Sequence, residues 1–382
     1  MISTHRDAGD SELLSAMAAE LRGLFPIPDQ AATAYLEQKE ALADHVDGEM
    51  LRHPDLSSLI GHCPVDAMML NHKHHACFMG TVFAMNSPDL LLRVLPWVYK
   101  SYSKRGFSFD YFPVALKVWM AAATEVLGPE RAKPVCSVYR WMLDRHEDTV
   151  RRVAAPSPFE PDQWSEAADT LLRHVLSVHS RDASRFVAEH VQNPVSLPAF
   201  FLDMVQPAMY RVGTLWEEGS VSISQEHAAT AIMSRAMAFA YQKFELTGEA
   251  KGKALVMCVS NEHHELGGRI VADLLELDGW DVSFLGANTP TEDFVGMARE
   301  FRPDLIGMSV TMPFNLIEAK SMVSTLRADP ALKGVPVLLG GMVLRLVPDA
   351  YRAVGADMQA SDGQEAVEIA RRWREERAGT CP

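Results

Sequence analysis

The sequence is short of cysteine and of positive charge. Its five cysteines, Cys63, Cys77, Cys136, Cys258 and Cys381, form no C-x-x-C pair, and an odd, scattered set excludes a disulfide framework. A reduced, cytoplasmic protein is expected. With 36 Lys and Arg against 50 Asp and Glu, the net charge is −14. No basic face for phosphates is therefore expected, and no nucleic-acid partner. The one arginine-rich run, Arg371-Arg372-Trp373-Arg374, is interrupted by Glu375-Glu376 and reads as a solvated helix end. No apolar stretch reaches the roughly 18 residues of a membrane span. Met1 to Asp10 are polar, so neither a membrane partner nor an export signal is expected. What the sequence does have is apolar bulk. At 48% hydrophobic over 382 residues, it holds enough for two or three domains with real cores.

Residues 1–155 read as a helical region. Pro64 opens a pattern with Met68, His72, His75, Met79, Val82 and Phe83 on one face. Pro88 and Pro96 read as interruptions. Pro113 starts a second helix with Leu116, Trp119, Met120, Ala123 and Leu127, and a third follows Pro134 with Val135, Val138, Tyr139, Met142, His146 and Val150 on one face. Ala154 to Phe159 is proline-rich and reads as a linker. Four helical patterns follow within 160–247: Asp162 to Ser180, Asp182 to Gln192, Leu197 to Glu217 and Gln225 to Phe244. Gly219 ends the third, and Ser222 with Gln225 forms a capping box for the fourth. After a polar hinge, Thr247 to Gly252, apolar runs at 254–260, 282–285, 305–310, 335–339 and 357–360 alternate with helical patterns. Residues 252–378 therefore read as a flavodoxin-like, five-stranded parallel sheet. The expected fold is multidomain, α and α/β.

The richest stretch is Asn261-Glu262-His263-His264-Glu265-Leu266-Gly267-Gly268, between the first strand and its helix. Loops at the carboxyl ends of parallel strands are where open α/β sheets bind ligands. Glu262 is spaced to hydrogen-bond the His264 ring, an arrangement suited to a metal-ligating imidazole. Gly267 and Gly268 let a bulky group approach the backbone. The plainer reading makes Glu262 and His264 solvated loop residues and the glycines a turn. A second motif weighs against it: Trp216 is followed ten and eleven residues later by Glu226 and His227, and the short turn between two helices brings them to one edge of the bundle. Glu226 also lies in the positive first turn of its helix, so a role in stabilising that end is compatible with either reading.

These motifs resemble cobalamin-binding proteins and, within them, the light-sensing group that uses adenosylcobalamin. The resemblance runs from about residue 160 to 378. It implies that His264 ligates cobalt from below and that Ser309, Thr311, Gly340 and Gly341 line the slot for the dimethylbenzimidazole tail. It further implies that Trp216, Glu226 and His227 hold the adenosyl group. The sequence departs from the light-dependent carotenoid-pathway repressors at Glu217, where they carry a histidine that ligates cobalt after photolysis. A complete mutase or methyltransferase needs a further barrel of about 250 residues, for which the chain has no room. A sensor and a corrinoid carrier subunit for a methyltransferase remain as alternatives, and neither is an enzyme by itself.

The helical region weakly resembles the non-haem, globin-like domains of bacterial sensors. Taken whole, the chain is similar to photocobilins, which pair cobalamin with a bilin. That likeness implies biliverdin as a second chromophore, with His72, His75, Tyr139 and His146 as candidate contacts. Haem is the rival ligand, and inward-facing core histidines with no ligand are the third alternative. With no DNA-binding, kinase or cyclase segment, the expected output is light-dependent homo-oligomer assembly or contact with a signalling partner.

Overall fold

The computed structural model describes residues 3–153, 164–178, 180–244 and 250–378. The expected linker at 154–159 and the first half of the expected hinge at 247–252 lie outside the described residues. The chain divides into two compact units, Met1–Pro156 and Ser157–Pro382.

Every regular element among the described residues of the first unit is a helix, from Ser3–Arg22 to His146–Arg152. Its core is aromatic: Tyr35, Phe83, Tyr99, Trp119 and Tyr139 are all fully buried or nearly so. Two expectations need correction. Pro88 and Pro96 do not interrupt a helix, because Pro88 begins the Pro88–Lys104 helix and Pro96 lies inside it. Pro134 likewise sits inside the Pro129–Asp144 helix. A proline in a helix removes one hydrogen bond. Here the burial of Leu90, Leu91, Leu92, Val94, Leu95 and Tyr99 on one helix, and of Val135, Val138, Tyr139 and Trp141 on the other, outweighs that loss. The apolar stripe expected from Val135 to Val150 also breaks. The helix ends at Arg145, whose guanidinium binds Glu20 at 2.5 Å, and His146 opens a separate helix.

In the second unit, Ser165 caps the helix Glu166–Leu176, its hydroxyl accepting from the Ala168 amide at 3.1 Å. Ser180–His190 follows. Leu197–Ala199, a π-helical segment Phe200–Val205, and Gln206–Glu217 run on as one rod, and Ile223–Tyr241 completes the bundle. The Ser222–Gln225 capping box forms. The five parallel strands are β1 (Lys253–Cys258), β2 (Asp281–Phe284), β3 (Leu305–Ser309), β4 (Val337–Gly340) and β5 (Met358–Gln359). They lie in the order β2-β1-β3-β4-β5, the doubly wound order of flavodoxin-like sheets. All residues of β3, and all but the first of β1, are buried, because helices cover both faces of a central parallel strand. Bundle and sheet share one apolar core in which Met233, Met237 and Ala240 pack with Ile270, Leu274 and Trp280.

Candidate functional site

Strand register assembles the site. Cys258 pairs with Ser309 and Ser309 with Gly340, so the last residues of β1, β3 and β4 form one row at the carboxyl edge. The loop after β1 carries His264 over this row. Gly341 follows with φ +104, and a Cβ there would lie 2.2 Å from the Val310 carbonyl oxygen, so only glycine fits. Gly268 has a different role from the one expected. A Cβ on it would meet Cys258 Sγ and Phe284 at 3.2 Å and Ser309 at 3.4 Å, so it seats the Leu266–Leu277 helix tightly on the sheet. Gly267 has nothing within 4 Å of that position and leaves an open approach.

Glu262 is fully buried and its two oxygens do different work. Oε2 accepts from the Thr311 amide at 2.8 Å, the Met312 amide at 2.9 Å and Asn315 Nδ2 at 3.1 Å. Oε1 lies 2.6 Å from His264 Nδ1 and also accepts from the His264 amide at 3.2 Å. Burial alone raises the proton affinity of this carboxyl. The bond and charge of His264, with the donors from Met312 and Asn315, overcome that and hold it below the usual carboxylate range. An ionised Glu262 offers only acceptors, so His264 Nδ1 donates to it. Neutral His264 therefore carries its free lone pair on Nε2, on a side chain 56% exposed. That is the donor a metal held from the solvent side requires. Partial desolvation of the ring by the surrounding loops pulls the His264 pKa down, but the hydrogen bond and charge of Glu262, joined by the charge of Glu226, leave it above its ordinary value.

The involvement of Glu226 ties the bundle to this loop. It stands in the first turn of Ile223–Tyr241, accepting from Thr230 Oγ1 at 2.9 Å. Trp216, half-buried, is the next-to-last residue of Gln206–Glu217. Glu217 is buried at 4% exposure, while His227 is exposed, its Nε2 3.6 Å from Glu226 Oε2. A second tie joins the bundle to the loop after β4, where the Arg345 guanidinium lies 5.6 Å from the Tyr210 ring. Sequence reasoning missed Asn315 and the backbone amides of Thr311 and Met312. They lie 49 to 53 residues from Glu262, and no local pattern links them.

The four histidine and tyrosine positions singled out in the first unit are built into its core. His72, 1% exposed, lies between Asp47 at 2.5 Å and the Tyr111 hydroxyl at 2.6 Å. His75 Nε2 is 3.2 Å from the Tyr139 hydroxyl, which also pairs with Tyr35 at 2.6 Å. Burial, with repulsion from His72, pulls the His75 pKa down to about 3, so the ring is neutral. His146 belongs to a second set, bonded to Tyr99 at 3.1 Å.

Comparison with known proteins gives this geometry a family context. Residues 252–371 match a B12 binding domain model, and residues 167–241 match a second. The chain is 29% identical over 192 residues to a corrinoid protein of Desulfitobacterium hafniense, covering 48% of this chain and 88% of that protein. It is 24% identical over 222 residues to the HTH-type transcriptional repressor CarA of Myxococcus xanthus, covering 58% and 74%. The monomethylamine corrinoid protein of Methanosarcina barkeri aligns with a TM-score of 0.48 at 20% identity, over 55% of this chain and 98% of that one. Among the described residues no helix is long and apolar enough to cross a membrane. With B12 binding domains matched at both the bundle and the sheet that carries the His264 loop, the chain is a cobalamin-binding protein.

Proposed function

We propose that the chain is a light sensor, not an enzyme, and that it holds adenosylcobalamin between the sheet edge and the bundle. His264 would hold the cobalt through Nε2 in place of the cofactor's own base, with Glu262 fixing its tautomer and aim. Ser309, Thr311, Gly340 and Gly341 line the slot for the dimethylbenzimidazole tail, beside the open position at Gly267. Trp216, Glu226 and His227 close over the adenosyl group. When bound, adenosylcobalamin supplies a cobalt–carbon bond that light breaks. Trp216, Glu226 and His227 would hold the adenosyl group in the dark, and without it the turn between their helices would be free to relax relative to the His264 loop. The output is a change of homo-oligomer assembly or of contact with a signalling partner in the cytoplasm.

The observation that carries this reading is geometric: His264 Nδ1 is tied to the buried Glu262 at 2.6 Å while the ring stands exposed, leaving Nε2 for a ligand. The charge of Glu226 in the bundle raises the proton affinity of that ring, which supports one ligand space for the two motifs. The match to a transcriptional repressor supports a regulatory role. The second reading, a corrinoid carrier subunit for a methyltransferase, draws on the 29% identity to a corrinoid protein. A carrier exposes its upper face to partner enzymes, whereas a Trp and a Glu-His pair suit a nucleoside better than a methyl group. The test is the absorption spectrum of protein loaded with adenosylcobalamin in the dark, recorded before and after green light. A light-induced change together with a shifted elution volume supports the sensor. Tight methylcobalamin binding with no preference for the adenosyl form supports the carrier.

Biliverdin in the helical unit is the further part of the proposal. It rests on the likeness to photocobilins; the rings of His75, Trp119 and Tyr139 pack on one another, His75 and Trp119 4.8 Å apart, so a bilin there would have to displace these contacts. Co-expression with a biliverdin source should give a red-absorbing band released in acid. A Soret band would assign haem, and no added band would leave the region structural.

A further inference from the structure

We infer that Asn288, in the loop after β2, sets the backbone of the loop that carries His264 and thereby the aim of the His264 ring. For the meaning of that aim, the inference rests on the ligand role proposed above. The observation is a pair of residues with an uncommon backbone. Asn261 and Asn288 both have left-handed φ, +63 and +50, which side chains other than asparagine and aspartate adopt reluctantly. They bond to each other's loops. The Asn261 amide donates to Asn288 Oδ1 at 2.8 Å, and the Asn288 amide donates to the Glu262 carbonyl at 2.8 Å. Together these bonds bracket residues 261 and 262 from one side. From the other side, Asn315 Nδ2 reaches the Asn261 carbonyl at 3.2 Å.

The bracket is itself held in place. The Thr289 amide donates to the Cys258 carbonyl at 3.2 Å, and Ser260 Oγ donates to the Thr289 carbonyl at 3.1 Å, zipping the two loops together at the sheet edge. Glu262 leaves a backbone fixed at three points. Its carboxylate must meet Thr311, Met312 and Asn315 on one side and His264 on the other, and rotation of the 261–262 peptide would carry it off those partners. Position 288 therefore needs two properties at once: tolerance of φ +50 and a side-chain acceptor two bonds beyond Cβ. Asparagine and aspartate have both, glycine only the first, and alanine neither. Strain concentrated where a loop must present a side chain is the pattern of preorganised sites.

The test uses the full chain with Asn288→Ala, Asn288→Gly and Asn288→Asp. Without cofactor, amide hydrogen exchange at residues 261–264 reads the loop directly. Exchange should accelerate at least tenfold in Asn288→Ala, less in Asn288→Gly, and little in Asn288→Asp. Unchanged exchange in Asn288→Ala overturns the inference whatever the chain binds. With hydroxocobalamin, Asn288→Ala should bind at least tenfold more weakly, the low end of what an outer partner of a metal ligand contributes. In a chain labelled with 15N-histidine and reduced to cobalt(II), the histidine splitting of the electron paramagnetic resonance signal should weaken in Asn288→Ala and return in Asn288→Asp. Equal binding and equal splitting across the three variants would also overturn it. Wild-type protein lacking any histidine splitting would instead remove the ligand role of His264, leaving the exchange data to decide the loop.

Discussion

Glu262 Oε1 lies 2.6 Å from Nδ1 of His264, while Glu262 Oε2 accepts from two amides and Asn315. The carboxylate is saturated on one side so that it acts on the ring with the other. It therefore dictates which imidazole nitrogen carries the proton, and a change of one atom in Glu262 reverses that choice.

Glu262→Gln tests this. The Thr311 and Met312 amides need an acceptor, so the glutamine oxygen turns to them and its NH2 faces His264 Nδ1. That nitrogen must then accept, and the proton moves to Nε2, where a metal would bind. Cobalamin affinity should fall by about 10–100-fold with little loss of stability, as read by titration of the absorption change. Affinity equal to wild type would mean that the His264 tautomer does not matter.

Two glycines separate ligand space from fold. Gly341→Ala places a Cβ against the Val310 carbonyl at a φ that alanine resists, and should cost at least about 2 kcal/mol, a fall of roughly 4–8 °C in Tm. Gly267→Ala, at an open helical position, should leave Tm unchanged or raise stability by up to about 1 kcal/mol, yet weaken cobalamin binding. Thermal scans with and without cofactor give both numbers. Unaltered binding in Gly267→Ala would take that position out of the ligand space.

The sheet and the Glu262–His264 pair were legible in the sequence for physical reasons. A central parallel strand is buried on both faces and so reads as one apolar run, and a loop motif three residues long carries its own geometry. Asn315, Asn288 and the Thr311 amide were not legible, because they reach Glu262 and Asn261 only after the strands align. Pro96 and Pro134 misled because the rule that prolines break helices is local, whereas burial of whole helix faces is not. The Glu226–His264 relationship sat between: each residue stood out in its own motif, and only the fold lets the charge of one act on the ring of the other.

Asp273 gives stability a pH dependence. It is 6% exposed in the Leu266–Leu277 helix, and burial raises its carboxyl to about 7, with Arg269 opposing and Glu276 adding to the shift. The folded state thus holds a proton that the unfolded chain releases near 3.8. The stabilising contribution is fully present below that value and is lost as pH rises through about 7. Asp273→Asn has no such proton to lose. Its stability relative to wild type should increase by about 3 kcal/mol between pH 5 and pH 8, measured by urea unfolding at both. A difference that does not change with pH would place the Asp273 carboxyl near its ordinary value.

The sharpest test of the cap lies at Trp216. It is the next-to-last residue of Gln206–Glu217, across a short turn from the helix that opens with Glu226, and in the proposed cap its flat apolar face would gain most from a flat partner such as adenine. Trp216→Ala removes that face without touching the loop after β1 or its anchors on β3. Affinity for hydroxocobalamin should therefore stay within about threefold of wild type, while the preference for adenosylcobalamin should shrink by at least about tenfold, the equivalent of roughly 1.4 kcal/mol of lost stacking. Parallel titrations with the two cobalamins in the dark measure both affinities, and size-exclusion runs before and after illumination follow the consequence. With the adenosyl group poorly held, dark and illuminated elution volumes should converge in Trp216→Ala and stay apart in wild type. Equal adenosyl preference in variant and wild type would move the adenosyl site away from Trp216 and, with it, the reason to read the bundle as a light-released cap.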